Sequence, residues 1–313
     1  MRRIILSFVV ATLVAFGASA HNPKAWSKMK KDVNLYLVSD LGREGCHYQQ
    51  LVASLMNDMA AKVKPMAIVA TGDTHHGNGV KSTTDKHWTT NFTNIYSLPR
   101  LKSLDWYAAI GNHEYRGSTQ ALIDYSKVNP HWKMGGHHYT TVFKKGSTSI
   151  RLVVVDTTPM IERYRENEKY PDAAEQDKEA QLQWLDDVLS KAKEDWVIVA
   201  GHHPIHADTK KNKVERTDMR NSVNEVLLCH SNVDIYLCGH IHSFQHLRDK
   251  ESTIDYVVNT SGSESRSVRQ TKRTVYCSGE TGFSVLTANK KELTLYMVDK
   301  NGNILHTLQR HKK

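Results

Sequence analysis

Cysteine is scarce, and what there is lies in no recognisable pattern. The chain of 313 residues holds four, Cys46, Cys229, Cys238 and Cys277. None forms a C-x-x-C pair, which excludes the usual thiolate zinc site and dithiol redox motif. A chain of this length does not need disulfides to hold a core, and Cys238 sits inside an apolar run as a buried thiol would, so no pairing is assigned. Proline is rare as well, at seven residues, and no Pro/Gly/Ser-rich linker or internal repeat divides the chain. Past the first twenty residues no apolar run approaches the ~20 needed to span a bilayer. Acidic residues are fewer than basic ones, 33 against 42, an excess that favours anionic ligands. The basic residues are scattered and do not alternate with aromatics in a stripe, so a nucleic-acid partner is not expected.

What is present begins with Met-Arg-Arg, the apolar run Ile4 to Phe16, and Ala18-Ser19-Ala20. A basic start, a short apolar stretch and a small-x-small site describe a secretory signal peptide. The expectation is therefore a signal peptide over residues 1–20, an exported (periplasmic or secreted) mature chain from His21, and a single domain over 21–313.

Along that domain, apolar strands and helices alternate. Strands are expected at Val33 to Ser39, Met66 to Thr71, Leu104 to Ile110, Tyr139 to Phe143, Ile150 to Val155, Trp196 to Ala200 and Val233 to Cys238. Helical spacing marks Tyr48 to Val63, with Leu51, Leu55, Met59 and Val63 on one face, and Ala180 to Ala192, with Leu182, Leu185 and Leu189. Shorter helices fit Trp88 to Tyr96, Thr119 to Lys127 and Ser222 to Cys229. Residues 160–177 are dense in charge and read as a solvated excursion, the stretch from Pro204 to Asn221 as a polar loop, and 261–279 as a Ser/Arg/Lys-rich loop. Short strands follow at Tyr256 to Asn259, Phe283 to Thr287, Leu293 to Val298 and Ile304 to Leu308. The pattern predicts a mixed α/β sandwich with a largely parallel sheet and an antiparallel extension.

Five of the apolar strands run into polar clusters: Asp40, Asp73, Asn112-His113, His202-His203 and His240-Ile241-His242. In open α/β sheets ligands bind at the carboxyl ends of strands. Histidines two apart in an extended segment share a side, so His240 and His242 can reach one pocket, with Gly239 permitting the turn. Asp, Asn and His without thiolates suit Zn, Mn or Fe. The set is too large for one tetrahedral ion and suits two sharing a carboxylate, an arrangement that binds a phosphoryl group and activates water.

The order Asp40, Gly72-Asp73, Gly111-Asn112-His113-Glu114, Gly201-His202 and Gly239-His240-Ile241-His242 resembles the calcineurin-like metallophosphoesterases. The chain is most similar to the small, tartrate-resistant type of purple acid phosphatase, a likeness that extends to the segments Ile123 to Trp132, Gln181 to Leu185 and Val197 to Pro204. The resemblance implies a four-layer α/β/β/α sandwich of metallophosphoesterase type. It implies a first metal held by Asp40, Asp73 and His242, and a second held by Asp73, Asn112, His202 and His240. His113 would be the general acid and a metal-bound hydroxide the nucleophile, hydrolysing a small phosphorylated substrate. One position departs from the family. The purple enzymes carry tyrosine three residues after the bridging aspartate, and this chain carries His76. We expect His76 to supply the missing first-metal ligand, with His75 as the alternative, and a divalent ion there rather than Fe(III)-tyrosinate. Glu114, His203 and His206 are candidate substrate contacts, and residues 160–177 a candidate lid. A phosphodiesterase on the same core and a non-catalytic metal- or phosphate-binding protein are the competing readings.

Overall fold

The computed structural model describes residues 23–210 and 213–312, so the expected signal peptide lies outside the described residues. The first four strands, β1 (Val33–Val38), β2 (Ala67–Ala70), β3 (Asp105–Ala108) and β4 (Trp132–Lys133), are parallel neighbours. A hairpin of β5 (Tyr139–Lys145) and β6 (Thr148–Val154) opens a second sheet, which β7 (Trp196–Ala200) and β8 (Ile235–Cys238) extend in parallel. That sheet is completed by β9 (Phe244–Arg248), β10 (Asp255–Val258) and β11 (Thr274–Ser278), with β10 parallel to β8 and the other two antiparallel. The chain then returns to the first sheet through the antiparallel β12 (Gly282–Ala288), β13 (Glu292–Asp299) and β14 (Ile304–His311). The two sheets have seven strands each, in the orders β14-β13-β12-β1-β2-β3-β4 and β11-β9-β10-β8-β7-β6-β5.

The strand sequences explain the layering. Alternate side chains of a strand face opposite sides of a sheet. Val33, Leu35 and Leu37 of β1 pack with Ile150, Leu152 and Ile198 between the sheets. Tyr36 and Val38 face outward, onto the helical layer that includes Val52, Met56 and Met59. Both faces are buried, which is why these strands read as continuous apolar runs instead of alternating ones. The result is helices, sheet, sheet, helices, the four-layer α/β/β/α sandwich. Each sheet has its own parallel centre and antiparallel extension, where the strand pattern alone suggested one such sheet.

Several local expectations differ from the structure. The long helix Gln49–Val63 buries Val52, Leu55, Met56 and Met59 but leaves Leu51 44% exposed, so its apolar stripe is set one residue further along. Leu182 is only partly buried, whereas Leu185 and Leu189 of the helix Lys178–Lys191 are fully covered. Residues 160–177 are no solvated excursion: Met160, Ile161, Tyr164, Tyr170 and Ala173 are buried. The polar loop before Asn221 contains the helix Lys213–Arg220, and the loop 261–279 ends in β11. The four cysteines are unpaired.

An ionic tie joins the two sheets at one edge. Asp255 of β10 accepts from His246 Nε2 at 2.8 Å and Arg248 Nε at 2.6 Å, both on β9, and from Arg310 Nη1 at 2.6 Å on β14 of the other sheet. Burial alone would raise this carboxyl, but those three donors win and hold it at about 2, against an ordinary 3.8. A depressed carboxyl stabilises the fold above its unfolded value and loses that contribution as pH falls through the folded one. Asp255→Asn is therefore expected to cost about 2 kcal/mol at pH 7. Denaturant unfolding of both proteins between pH 7 and pH 2 should show that gap closing below pH ~4; a gap independent of pH would contradict the assignment.

Candidate metal centre

The polar strand ends converge at one rim of the sandwich. Asp40 follows β1, Asp73 follows β2, Asn112 follows β3, His202 follows β7, and His240 and His242 follow β8. The backbone there is unusual: Asp40, Asp73, His240 and His242 all have positive φ, at 50, 52, 73 and 54°. Left-handed backbone at residues other than glycine is a cost usually retained for a site. It also corrects the sequence argument for the two histidines. The strand ends at Cys238, and left-handed turns, not strand alternation, aim His240 and His242. Gly239 is required for space: a Cβ there would lie 1.7 Å from Ser39 Oγ and 2.6 Å from Asp40 Oδ2.

Four groups of side chains bring ligand atoms within 4.8 Å of one another: Asp40, His76 and His242; Asp40, Asp73 and His202; Asp73, His76 and His113; and His202, His203 and His240. Asp73 Oδ2 is the focus. Around it stand His202 Nε2 at 3.3 Å, His76 Nε2 at 3.6 Å and His113 Nε2 at 3.8 Å. On the flanks, His242 Nε2 is 3.2 Å from Asp40 Oδ1, and His202 Nε2 is 3.2 Å from Asn112 Oδ1. Ligand atoms bonded to a common ion at 2.0–2.2 Å lie roughly 2.9–3.6 Å apart, so most of these separations suit ligands around ions better than direct hydrogen bonds.

Local contacts preset the ligands. Asp40 Oδ2 accepts from Ser39 Oγ at 2.5 Å and the His240 amide at 2.9 Å, while the buried Asp40 Oδ1 has no hydrogen-bond partner. His202 Nδ1 donates to the Thr71 carbonyl at 2.8 Å, which fixes the tautomer and leaves Nε2 to bind a metal. His240 Nε2 meets Glu215 Oε2 at 3.0 Å, leaving Nδ1 toward the site. His242 Nδ1 lies 3.3 Å from the Glu264 carboxylate.

Charge tells the same story. Burial would raise Asp73, but His202, His113 and His76 hold its carboxyl well below the usual range. Burial would lower His202, but Asp73 and Asp40 push it up to about 10. Two buried carboxylates that draw a proton onto a neighbouring imidazole are a pair that a cation can neutralise instead. The donor set, its spacing and the unpartnered Asp40 oxygen all fit bound metal.

The chain's departure at position 76 has a clear geometry. His75 is fully buried, edge-on to Trp88 at 4.5 Å between ring centroids, with Nδ1 3.4 Å from Asn91. His76 instead enters the cavity, its ring 5.2 Å from His242 and 4.3 Å from His113. Burial lowers His76 to about 3, keeping its imidazole neutral as a ligand must be.

None of the three candidate substrate contacts lines this cavity. Glu114 is buried and accepts the amides of Asp73 at 2.9 Å, His75 at 2.9 Å and Gly111 at 2.8 Å. It clamps two ligand loops together from behind, with burial and Asp73 pushing it up to about 8. His203 is fully buried, with Nδ1 2.9 Å from Thr157 Oγ1. His206 packs on Tyr256 and lies 3.5 Å from Asp249, in a neighbouring cavity.

The cavity, about 150 Å³, is walled instead by residues that sequence reasoning passed over: Arg116, Arg163, Tyr164, Glu215, Arg216 and Arg266 among them. Arg163 and Tyr164 come from the segment 160–177, which therefore contributes to the cavity wall. Tyr164 Oη donates to Glu215 Oε1 at 2.8 Å, and Arg163 Nη1 lies 3.1 Å from the same oxygen. His113 is 21% exposed at the cavity mouth, and its Nδ1 donates to the Gly77 carbonyl at 2.9 Å, turning Nε2 inward.

Comparison with known proteins gives the family. A profile of the calcineurin-like phosphoesterase family matches residues 33–244. Purple acid phosphatase 17 of Arabidopsis thaliana is 30% identical over 252 residues, covering 76% of this chain and 70% of its own. Tartrate-resistant acid phosphatase type 5 of Mus musculus is 30% identical over 253 residues, covering 76% of each chain. Among solved structures, GAP50, the anchor in the inner membrane complex of Plasmodium, superposes with a TM-score of 0.76 at 20% identity, covering 90% of this chain and 89% of that one, a likeness of fold. The chain belongs to the calcineurin-like phosphoesterase family, a family of dinuclear metallophosphatases, and its relatives include purple acid phosphatases of the small tartrate-resistant type.

Proposed function

We propose that the protein is an exported, dinuclear-metal phosphomonoesterase. The observation that carries the reading is the convergence of three imidazole Nε2 atoms on Asp73 Oδ2, flanked by Asp40 and Asn112. Asp40, Asp73, His76 and His242 would hold one ion; Asp73, Asn112, His202 and His240 would hold the other. Two such ions, divalent Fe, Mn or Zn, would supply charge to bind the phosphoryl group and lower the pKa of water. Glu215, bonded to His240 Nε2, would fix that ring, and the Glu264 carboxylate lies 3.3 Å from His242 Nδ1. His113 Nε2, at the mouth, faces the place a leaving oxygen would occupy. With Nδ1–H held by Gly77, it is the doubly protonated imidazolium that would deliver a proton there, a form that burial disfavours and Asp73 favours. Arg116, Arg163, Arg216 and Arg266 ring the entrance and favour a dianionic phosphate over the single charge of a diester. Export rests on the N-terminal sequence pattern.

The test is hydrolysis of 4-nitrophenyl phosphate against bis(4-nitrophenyl) phosphate by the metal-loaded protein. The monoester should have the higher kcat/KM; an equal or higher value for the diester would overturn the monoesterase reading.

A further inference from the structure

Arg216 lines two cavities. One is the metal cavity. The other, about 290 Å³, has Lys213, Arg216, Arg220, Lys272, Arg273 and His206 in its wall and, among the described residues, no carboxylate. These cations come from separate parts of the chain: the helix Lys213–Arg220 and the segment just before β11. The nearby carboxylates are already engaged, and Glu215, next to Arg216 on the helix, is taken up by His240 and Tyr164. Asp249 is bonded to Arg273 and lies 3.5 Å from His206. Asp208 accepts the Arg269 amide at 2.7 Å and lies 3.8 Å from its guanidinium. Like charges are pressed together here: burial and then Arg273 depress Arg220, while burial and then Arg220 depress Arg216 against the opposite pull of Glu215 and Asp208. A single-sign cluster in a concave wall focuses positive potential, and an anion bound there relieves the repulsion. Scattered basic residues on a solvated face would not line one hollow that shares Arg216 with the metal cavity.

We propose that the substrate of the metal site carries a second phosphate group, held in this basic cavity while the scissile phosphate sits among the metal ligands. Arg216, which lines both cavities, would contact both ends. The inference rests on the hydrolase reading above and narrows its substrate class. A condensed phosphate chain and a small molecule with two separate phosphate esters offer the same chemistry.

The double variant Arg220→Gln/Lys272→Gln tests it, in the full metal-loaded chain. Lys272 is exposed and Arg220 half-buried, and the unfolding midpoint verifies that the variant is folded. KM for inorganic tripolyphosphate, for a sugar bisphosphate, or for both should rise roughly 10- to 100-fold, with 4-nitrophenyl phosphate changed by less than about twofold. Which polyanion responds separates a phosphate chain from separate esters, and Lys272→Arg with Arg220 intact should retain wild-type KM. Equal changes for all three substrates, or none for either polyanion, would overturn the proposal. Calorimetric binding of tripolyphosphate is read in parallel. If the wild-type protein turns over none of the substrates yet loses tripolyphosphate binding in the double variant, the cavity stands and the hydrolase reading falls. Binding that the double variant leaves unchanged overturns the cavity.

Discussion

His113→Ala should lower kcat for a phosphate monoester by about 10²–10⁴-fold, the range a positioned proton donor contributes, while leaving metal content unchanged. The separation of effects follows from where the ring sits. His113 Nε2 is 3.8 Å from Asp73 Oδ2, the longest of the three imidazole approaches, and the side chain is 21% exposed where the ligands His76 and His202 are 4% and 0% exposed. A ring at the mouth is placed to meet substrate, and a ring at the floor to hold an ion. The effect should depend on the leaving group. An alkyl phosphate needs protonation of its departing oxygen far more than 4-nitrophenyl phosphate, so the loss should be larger for the alkyl ester. Steady-state kinetics with both esters, alongside metal analysis, provides the check. An equal loss for both would argue that His113 only binds phosphate, and loss of metal would make it a ligand.

His76→Ala should remove the ion beside Asp40 and His242 and most of the activity with it. Without His76, that ion keeps His242 as its one imidazole among Asp40, Asp73 and His242. Losing a direct ligand costs more than the 10- to 100-fold in affinity that follows loss of a supporting hydrogen bond. Metal content at dilute protein should therefore fall from two equivalents toward one. The same position sets the optical properties. The tyrosines in the cavity wall have their hydroxyls committed, Tyr164 to Glu215 at 2.8 Å and Tyr170 to Arg116 at 3.0 Å, and His76 would occupy the place beside the first ion. The iron-loaded protein should lack a tyrosinate charge-transfer band, and His76→Tyr should gain one. Full retention of both metals in His76→Ala would remove this residue from the centre.

The ligand loops were legible in the sequence for a physical reason. Asp40, Asp73, His202 and His240 each follow a strand buried on both faces, so an apolar run breaks abruptly there, while Asn112 follows β3, whose Asp105 and Tyr107 are only partly buried. Such breaks are visible without any knowledge of tertiary contacts. The convergence of His240 and His242 was also visible, although its cause is left-handed backbone at both residues, which no periodicity reports. The walls of the cavity were not legible. Glu215 lies on a polar eight-residue helix, and its burial depends on His240, Tyr164 and Arg163, all distant in sequence. Tyr164 and Tyr170 are embedded in charged sequence, where no spacing announces that they pack against one another at 4.7 Å. Glu114 looked like a substrate contact because it follows His113. Its carboxylate instead meets the amides of Asp73, His75 and Gly111, a clamp between two loops that only the folded chain defines.

The central claim is that two ions, sharing Asp73, make this site a hydrolase. It is tested most directly by titrating the metal-stripped protein with Mn(II) while following hydrolysis of 4-nitrophenyl phosphate. Activity should be absent at the start and reach its plateau only as the second equivalent binds. Turnover by the stripped protein, or a plateau at one equivalent, would contradict the account.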